Sequence, residues 1–199
     1  MSLWTLFPAR APEEGKSRLA AVLGREERAR LSERFFRRTL ALALQVNDAS
    51  RTLVVSRSDR VLAIAAETGV LTLRELAHHR LNEALSYAAF TAARGGATSV
   101  LSLAGDLPFL TRADIRALLA AGGGRPGVVI ATDRPGLGTN ALLLNPVGAI
   151  PYRYGEGSFR RHQAGARKAG LPFRVIRRFG LAFDLDTPAE LEEMRARMP

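Results

Sequence analysis

The sequence predicts an α/β fold built on a mainly parallel sheet, and three observations carry the prediction. Short apolar, β-branched runs alternate with segments of helical periodicity along the whole chain. Helix-start signals sit just before two of the periodic segments, in Thr111-Arg-Ala-Asp114 and Thr187-Pro-Ala-Glu190. No linker, repeat or low-complexity stretch interrupts the alternation, so residues 1–199 read as one domain.

Residues 3–7 form the expected first strand, stopped by Pro8, and a basic loop runs from residue 9 to residue 19. Residues 26–45 are a helix whose apolar face is made of two rows, Leu31, Phe35, Leu42 and Phe36, Leu40, Leu44. Arg30, Arg34, Arg37 and Arg38 fall mostly on the other side. A buried strand at 52–56 is followed by a helix at 58–68 that Gly69 stops, then a short strand at 70–73. Residues 81–94 are a helix closed by Gly95-Gly96. The apolar run 99–103 is a strand that delivers Gly105-Asp106-Leu107-Pro108 to the rim of the sheet. The helix opened by Thr111 ends at Gly122-Gly123-Gly124, and strands at 127–132 and 140–144 flank a Gly-bearing loop. Residues 158–169 are helical, 173–176 extended and 181–185 the last strand, before the helix that Thr187 starts. The segment 130–183 breaks strict alternation and predicts an antiparallel or edge strand over the ligand side.

Composition narrows the function classes. Cys is absent, which excludes a disulfide framework and thiolate metal sites. The first residues lack the basic region and apolar length of a signal peptide, and no run is long enough to span a membrane. The expectation is a cytoplasmic protein without a membrane partner. A net charge of +10, from 29 Lys+Arg against 19 Asp+Glu, attracts polyanions. The Arg residues are dispersed and lack interleaved aromatics for base stacking, so no nucleic acid is expected as partner. A basic nucleic-acid-binding domain is kept as the alternative from another class.

Carboxylates at strand tips are the main chemical signal. Asp106 follows a buried strand, and Asp184 and Asp186 share a face two residues apart while Phe183 and Leu185 point inward. For one Asp alone, capping a turn or helix is the simpler role. Three together repel unless a cation sits between them, and hard oxygen ligands suit Mg2+ or Mn2+ bridging substrate phosphates. His78 and His79 are adjacent and His162 is alone, so the histidines supply no zinc site. In Tyr154-Gly-Glu-Gly-Ser158, Ser158 is placed as N-cap of a helix whose free amides suit a phosphate or carboxylate, with His162 on the same face. The same residues also fit an ordinary turn. Gly136-Leu-Gly-Thr139-Asn140 puts a hydroxyl and an amide at a strand mouth. Lys16 and Arg18 beside Gly15 either neutralise a triphosphate or remain solvated. Neither a P-loop nor a GxGxxG is present.

Six short motifs in order cover nearly the whole chain: Lys16-Ser-Arg18-Leu-Ala20, Leu81-Asn82-Glu-Ala-Leu85, Gly105-Asp106-Leu-Pro108, Gly138-Thr139-Asn-Ala-Leu142, Tyr154-Gly155 through Ser158-Phe159 and His162, and Asp184-Leu-Asp186-Thr-Pro188. With them the chain resembles the 2-phospho-L-lactate or phosphoenolpyruvate guanylyltransferase family of coenzyme F-420 biosynthesis. The resemblance implies a Rossmann-like three-layer sandwich, the nucleotidyltransferase fold of the glycosyltransferase-A type. It implies GMP transfer from GTP to the phosphate of a small phosphorylated three-carbon acid, with release of pyrophosphate. Asp106, Asp184 and Asp186 would hold the divalent metal. Thr139, Gly155 and Ser158 would bind the acid, and Lys16 would meet the nucleotide's phosphates as a catalytic residue together with Asp106. Arg18 and Asn82 lie on the nucleotide side, and a homodimer is compatible with the resemblance. Arg10, Glu13 and Glu14 in the first loop and Arg80 before Leu81 depart from the family pattern. A nucleotidyltransferase of the same fold acting on a molybdopterin or a sugar phosphate is the alternative within this class.

Overall fold

The computed structural model describes residues 2–77 and 80–198. Its strands are β1 (Leu3–Pro8), β2 (Thr52–Ser56), β3 (Leu71–Arg74), β4 (Ser99–Leu103), β5 (Gly127–Ala131), β6 (Ala141–Asn145) and β7 (Phe173–Ile176). Its helices are α1 (Arg25–Leu44), α2 (Asp59–Ala66), α3 (Leu81–Arg94), α4 (Arg112–Gly122), α5 (Ser158–Lys168), α6 (Phe179–Ala182) and α7 (Pro188–Arg197). The strands join in one sheet of order β3-β2-β1-β4-β6-β5-β7. β3, β2, β1 and β4 are parallel neighbours, β6 pairs antiparallel with both β4 and β5, and β7 lies parallel to β5. Six strands therefore share one direction and β6 alone opposes it.

Alternating side chains send each strand into two separate cores. On one face Phe7, Val54, Leu101 and Val129 pack against Phe36 and Leu40 of α1, Val61 and Ile64 of α2, and Ile115 and Leu118 of α4. On the other, Leu6, Leu53, Val100 and Ile130 meet α5 and the small-residue stripe Ala84, Ala88 and Ala92 of α3. Covering both faces explains why the strands read as continuous apolar runs. The result is the expected three-layer α/β sandwich. No helix among the described residues is long and apolar enough to cross a membrane.

Two expectations need correction. The antiparallel strand exists, but it lies inside the sheet rather than over the ligand side. Leu143 of β6 registers with Leu101 on one edge and Val129 on the other, and the first four β6 residues are buried. Residues 181–185 form no strand. Leu181 and Ala182 close the short helix α6, and the chain then runs extended past the strand tips. Phe183 and Leu185 are fully buried, so the two-residue alternation is real. Alternation needs only an extended chain with one side buried, whereas a strand also needs a ladder partner. Leu185 makes a backbone hydrogen bond to Asp106, at 3.3 Å, rather than joining the ladder.

The chain leaves β1 for β2 on one side and later returns to β4 on the other. The tips of β1 and β4 thus bound the crevice where open α/β sheets take ligands.

Candidate active site

Three segments meet at that crevice. The loop after β1 folds into two single turns of 3-10 helix, 12–14 and 17–19, with Lys16 between them in the left-handed conformation at φ 56°. A non-glycine residue there costs roughly 1 kcal/mol. The geometry sends the Lys16 side chain inward, where its ammonium lies 2.7 Å from Asp106 Oδ2 and 3.5 Å from Asp186 Oδ1. The side chain is 4% exposed, against 38% and 42% for its two partners. Arg18 stays in solvent and reaches the other oxygen of Asp186 at 3.5 Å.

Apolar packing holds these segments together from below. Leu19 at the end of the basic loop, Leu23 just before α1, Phe35 of α1, Phe183 and Leu185, and Leu191 and Met194 of α7 form a third core cluster. Burying Phe183 and Leu185 turns Asp184 and Asp186 to the opposite side. Thr187 caps α7 by accepting from the Glu190 amide, and Glu190 Oε2 accepts from the amides of Asp186 and Thr187 at 2.8 and 2.7 Å. Thr111 likewise caps α4. Neither Asp184, Asp186 nor Asp106 is therefore needed as a helix cap.

The electrostatics follow from this gathering. Burial raises the Asp184 carboxyl to about 6, and the neighbouring charges of Asp106, Asp186 and Glu190 push the same way. Among the described residues, no three His, Asp or Glu side chains stand close enough as placed to hold a metal ion. Asp106 and Asp186 nevertheless converge on one cationic point, now the Lys16 ammonium. Hard oxygen donors aimed at such a point suit a divalent cation of the Mg2+ or Mn2+ type.

The antiparallel β6 builds the second half of the site. Because β6 starts where β4 ends, Ala141 registers with Leu103 and the Asn140 carbonyl accepts from the Ala104 amide, two residues before Asp106. Thr139 comes to the rim with it. The loop 133–139 closes around Asp133, whose Oδ1 accepts from the Leu137 amide at 2.7 Å. A Cβ on Gly138 would lie 2.7 Å from Asp133 Oδ2 and would push aside the carboxylate that closes the turn. The Leu137 carbonyl then accepts from the Phe159 amide, docking this loop onto the start of α5.

At that helix start the cap differs from the expectation. Gly157, at φ 65°, is the N-cap and Ser158 is the first helical residue. The Ser158 hydroxyl donates to Thr139 Oγ1 at 3.0 Å, and both residues are buried. The Ser158 and Phe159 amides are taken by the carbonyls of Gly155 and Leu137, so these two are not free for an anion. His162 is wholly buried behind Thr139 and Ser158, and burial lowers its pKa to about 4. His78 and His79 lie outside the described residues. Gly155 precedes the cap in a positive-φ conformation, at φ 111°.

Asn82, in the first turn of α3, spends its amide on the chain just before Gly155. Its Oδ1 accepts from the Tyr154 amide at 2.7 Å and its Nδ2 donates to the Tyr154 carbonyl at 3.3 Å. Three other contacts escaped the sequence reading. Arg38 of α1 donates to the carbonyls of Leu107 and Leu110 at 3.4 and 2.8 Å, pinning the loop that carries Asp106. Asn140 donates to the Leu181 carbonyl at 3.0 Å, and Arg178 pairs with the buried Asp114 at 2.5 Å, which together fix α6. Arg38 looked like one more solvent-facing arginine. Only its spacing of three residues from the buried Phe35 hinted otherwise.

Comparison with known proteins follows the same lines. Residues 3–196 match the family described as guanylyl transferase CofC like. A phosphoenolpyruvate guanylyltransferase of Sphaerobacter thermophilus is 40% identical over 100% of this chain and 95% of its own length. A 3-phospho-D-glycerate guanylyltransferase of Colwellia psychrerythraea is 32% identical over 94% of this chain and 88% of its own. Among solved structures, 4-diphosphocytidyl-2C-methyl-D-erythritol synthase superposes with a TM-score of 0.68 at 12% identity, covering 100% of this chain and 99% of that one, a likeness of fold.

Proposed function

The chain belongs to the CofC-like guanylyl transferase family, and on that premise we propose that it transfers GMP from GTP to the phosphate of a three-carbon phospho-acid. Phosphoenolpyruvate is the acceptor we favour, since it is the acceptor named in the 40%-identical relative. 2-Phospho-L-lactate and 3-phospho-D-glycerate are the competing acids, and the product would enter coenzyme F-420 biosynthesis. The observation that carries the proposal is the convergence of Lys16, Asp106 and Asp186 at one rim beside the Thr139–Ser158 hydroxyl pair.

An oxygen of the acid's phosphate bonds to the α-phosphorus of GTP, and the bond from that phosphorus to the bridging oxygen of the β-phosphate breaks, releasing pyrophosphate. The nucleophile is already an anion, so no strong general base is required. Catalysis is positioning and charge neutralisation, in which Lys16 and Arg18 supply positive charge to the triphosphate. Asp106 and Asp186, with Asp184 beside them, would hold a Mg2+ or Mn2+ ion, which when bound neutralises the phosphates and polarises the α-phosphoryl group. Thr139, Ser158 and Gly155 bind the acid. Asn82 braces the Tyr154–Ser158 segment against α3, on the nucleotide side of the site.

Incubation with GTP, Mg2+ and each acid, followed by pyrophosphate release and product mass, tests the assignment. Release with phosphoenolpyruvate is expected. Release only with sugar phosphates or molybdopterin would move the chain to another acceptor class, and none with any acceptor in a folded sample would sink the proposal. Asp106→Asn should cut turnover by about 10³-fold or more, a loss typical of removing one key electrostatic group. The protein should still fold, its melting temperature falling only by the few degrees that losing the Lys16 pair costs.

A further inference from the structure

His162 is wholly buried, yet nothing proposed so far gives it work. Both its ring nitrogens are engaged. Nε2 lies 3.0 Å from the Arg153 amide nitrogen, which can only donate, so Nε2 is the acceptor and carries no hydrogen. The neutral ring therefore bears its hydrogen on Nδ1, which lies 3.1 Å from the Thr139 hydroxyl oxygen and donates to it. Burial favours this neutral ring over the imidazolium.

The trio of His162, Thr139 and Ser158 then holds three polar hydrogens: Nδ1–H and two hydroxyl hydrogens. Nδ1–H is spent on Thr139, and one hydroxyl hydrogen bridges Thr139 and Ser158 across 3.0 Å. The third hydrogen finds no protein acceptor among the described residues. In the other tautomer, Nδ1 would accept from Thr139, Thr139 would accept from Ser158, and no hydrogen would be left over. The Arg153 amide thus decides whether the hydroxyl pair has a donor to spare.

We propose that His162 is a positioning residue for the acceptor: held in its Nδ1–H tautomer by the Arg153 amide, it keeps one hydroxyl hydrogen of the Thr139–Ser158 pair available for the carboxylate or phosphate of the phospho-acid. This rests on the assignment of Thr139 and Ser158 to the acceptor. A hydroxyl hydrogen left without a protein acceptor favours a group that can only accept, as a carboxylate or phosphate does.

Two arms test it. The first is nitrogen NMR of the wild-type protein with labelled histidine. A pyrrole-type signal at Nδ1 and a pyridine-type signal at Nε2 of His162 are expected, and the reverse pattern overturns the proposal. The second is a pair of substitutions in folded variants. In His162→Asn the side-chain amide lies where Nδ1 was and still donates to Thr139. In His162→Gln it lies where Nε2 was and serves only Arg153. His162→Gln keeps both hydroxyl hydrogens but removes the Nδ1–H that fixes the Thr139 oxygen. The spare hydrogen is then no longer oriented, so the KM for the acid should rise about tenfold, with the KM for GTP unchanged. His162→Asn should stay within about threefold of the parent. Equal losses in both variants, or no change in either, overturn the proposal. Thr139→Val and Ser158→Ala separate the two levels. If neither raises the KM for the acid, the acceptor assignment itself is wrong, whatever the tautomer.

Discussion

Replacing Lys16 with Met isolates what its ammonium contributes before any substrate arrives. The side chain is enclosed at 4% exposure and lies 2.7 and 3.5 Å from two carboxylates. At an effective dielectric of about 20 the pairwise attractions are roughly 6 and 5 kcal/mol. Desolvation of the ammonium and solvent screening of the half-open carboxylates cancel most of that, leaving a net contribution of about 1–2 kcal/mol. For a chain of this length that is a fall in Tm of about 2–4 °C per kcal/mol. Met keeps the left-handed backbone strain at position 16, whereas Lys16→Gly relieves it. The Gly variant should regain about 1 kcal/mol of strain but lose the packing of the buried stem, so its Tm should lie no higher than that of the Met variant. Removing the ammonium also leaves Asp106, Asp184 and Asp186 with only the solvent-exposed Arg18, on Asp186, as counter-charge. Mg2+ should then raise the Tm of Lys16→Met more than that of the parent, where it competes with the ammonium. Thermal melts at pH 7 with and without Mg2+ measure all three effects. An unchanged Tm in the Met variant, or equal Mg2+ shifts in both proteins, would refute this account of the site.

Stability should depend on pH through His162. Its pKa is about 4 in the fold against 6.5 for a free imidazole. The unfolded chain binds the extra proton first, so this contribution is complete above pH 6.5. It falls by about 1.4 kcal/mol per unit as pH drops towards 4, roughly 3 kcal/mol in all. Urea unfolding at pH 7 and pH 5 measures it, and an unchanged pH slope in His162→Asn would exclude His162 as its source. Gly180→Ala should destabilise by about 1–3 kcal/mol or more, because the new Cβ meets Asp114 Oδ2 and lies 2.5 Å from the Phe109 carbonyl oxygen. It should also lower turnover by shifting the segment that carries Asp184 and Asp186, and a parental Tm would contradict the packing. Asn82→Leu strips both partners from the Tyr154 backbone. A cost of about 1–3 kcal/mol is expected, with a higher KM for the acid as well as for GTP, and an effect on GTP alone would argue against the brace.

How much was legible in the sequence depended on how local the cause was. Helix α3 and strand β4 carry their own periodicity and stop signals, and both have the predicted ends, Leu81–Arg94 and Ser99–Leu103. The caps at Thr111 and Thr187 were equally local. What failed was pairing. The alternation Phe183-Asp184-Leu185-Asp186 told which side chains are buried, but nothing nearby in sequence says whether a ladder partner is available, and β4 already has β1 and β6 beside it. Ser158 looked like an N-cap because capping is a local rule. Its hydroxyl is claimed instead by Thr139, nineteen positions away. Asn82 could be placed at a helix start, but its two bonds to Tyr154 span 72 positions and leave no trace in either motif.

The backbone bond from Leu185 to Asp106, with Lys16 reaching both carboxylate segments, has a consequence during synthesis. On the ribosome β1 to β4 emerge first and can begin to pair while residues 183–187 are still unmade. Until those residues arrive, Leu19, Leu23 and Phe35 lack the Phe183, Leu185 and α7 side chains that cover them, so the nascent chain presents an apolar surface to chaperones. The acidic side of the site is completed only when residues 184–186 emerge, after every strand of the sheet. A chain cut short before residue 183 would keep every strand of its sheet and lack Asp184 and Asp186.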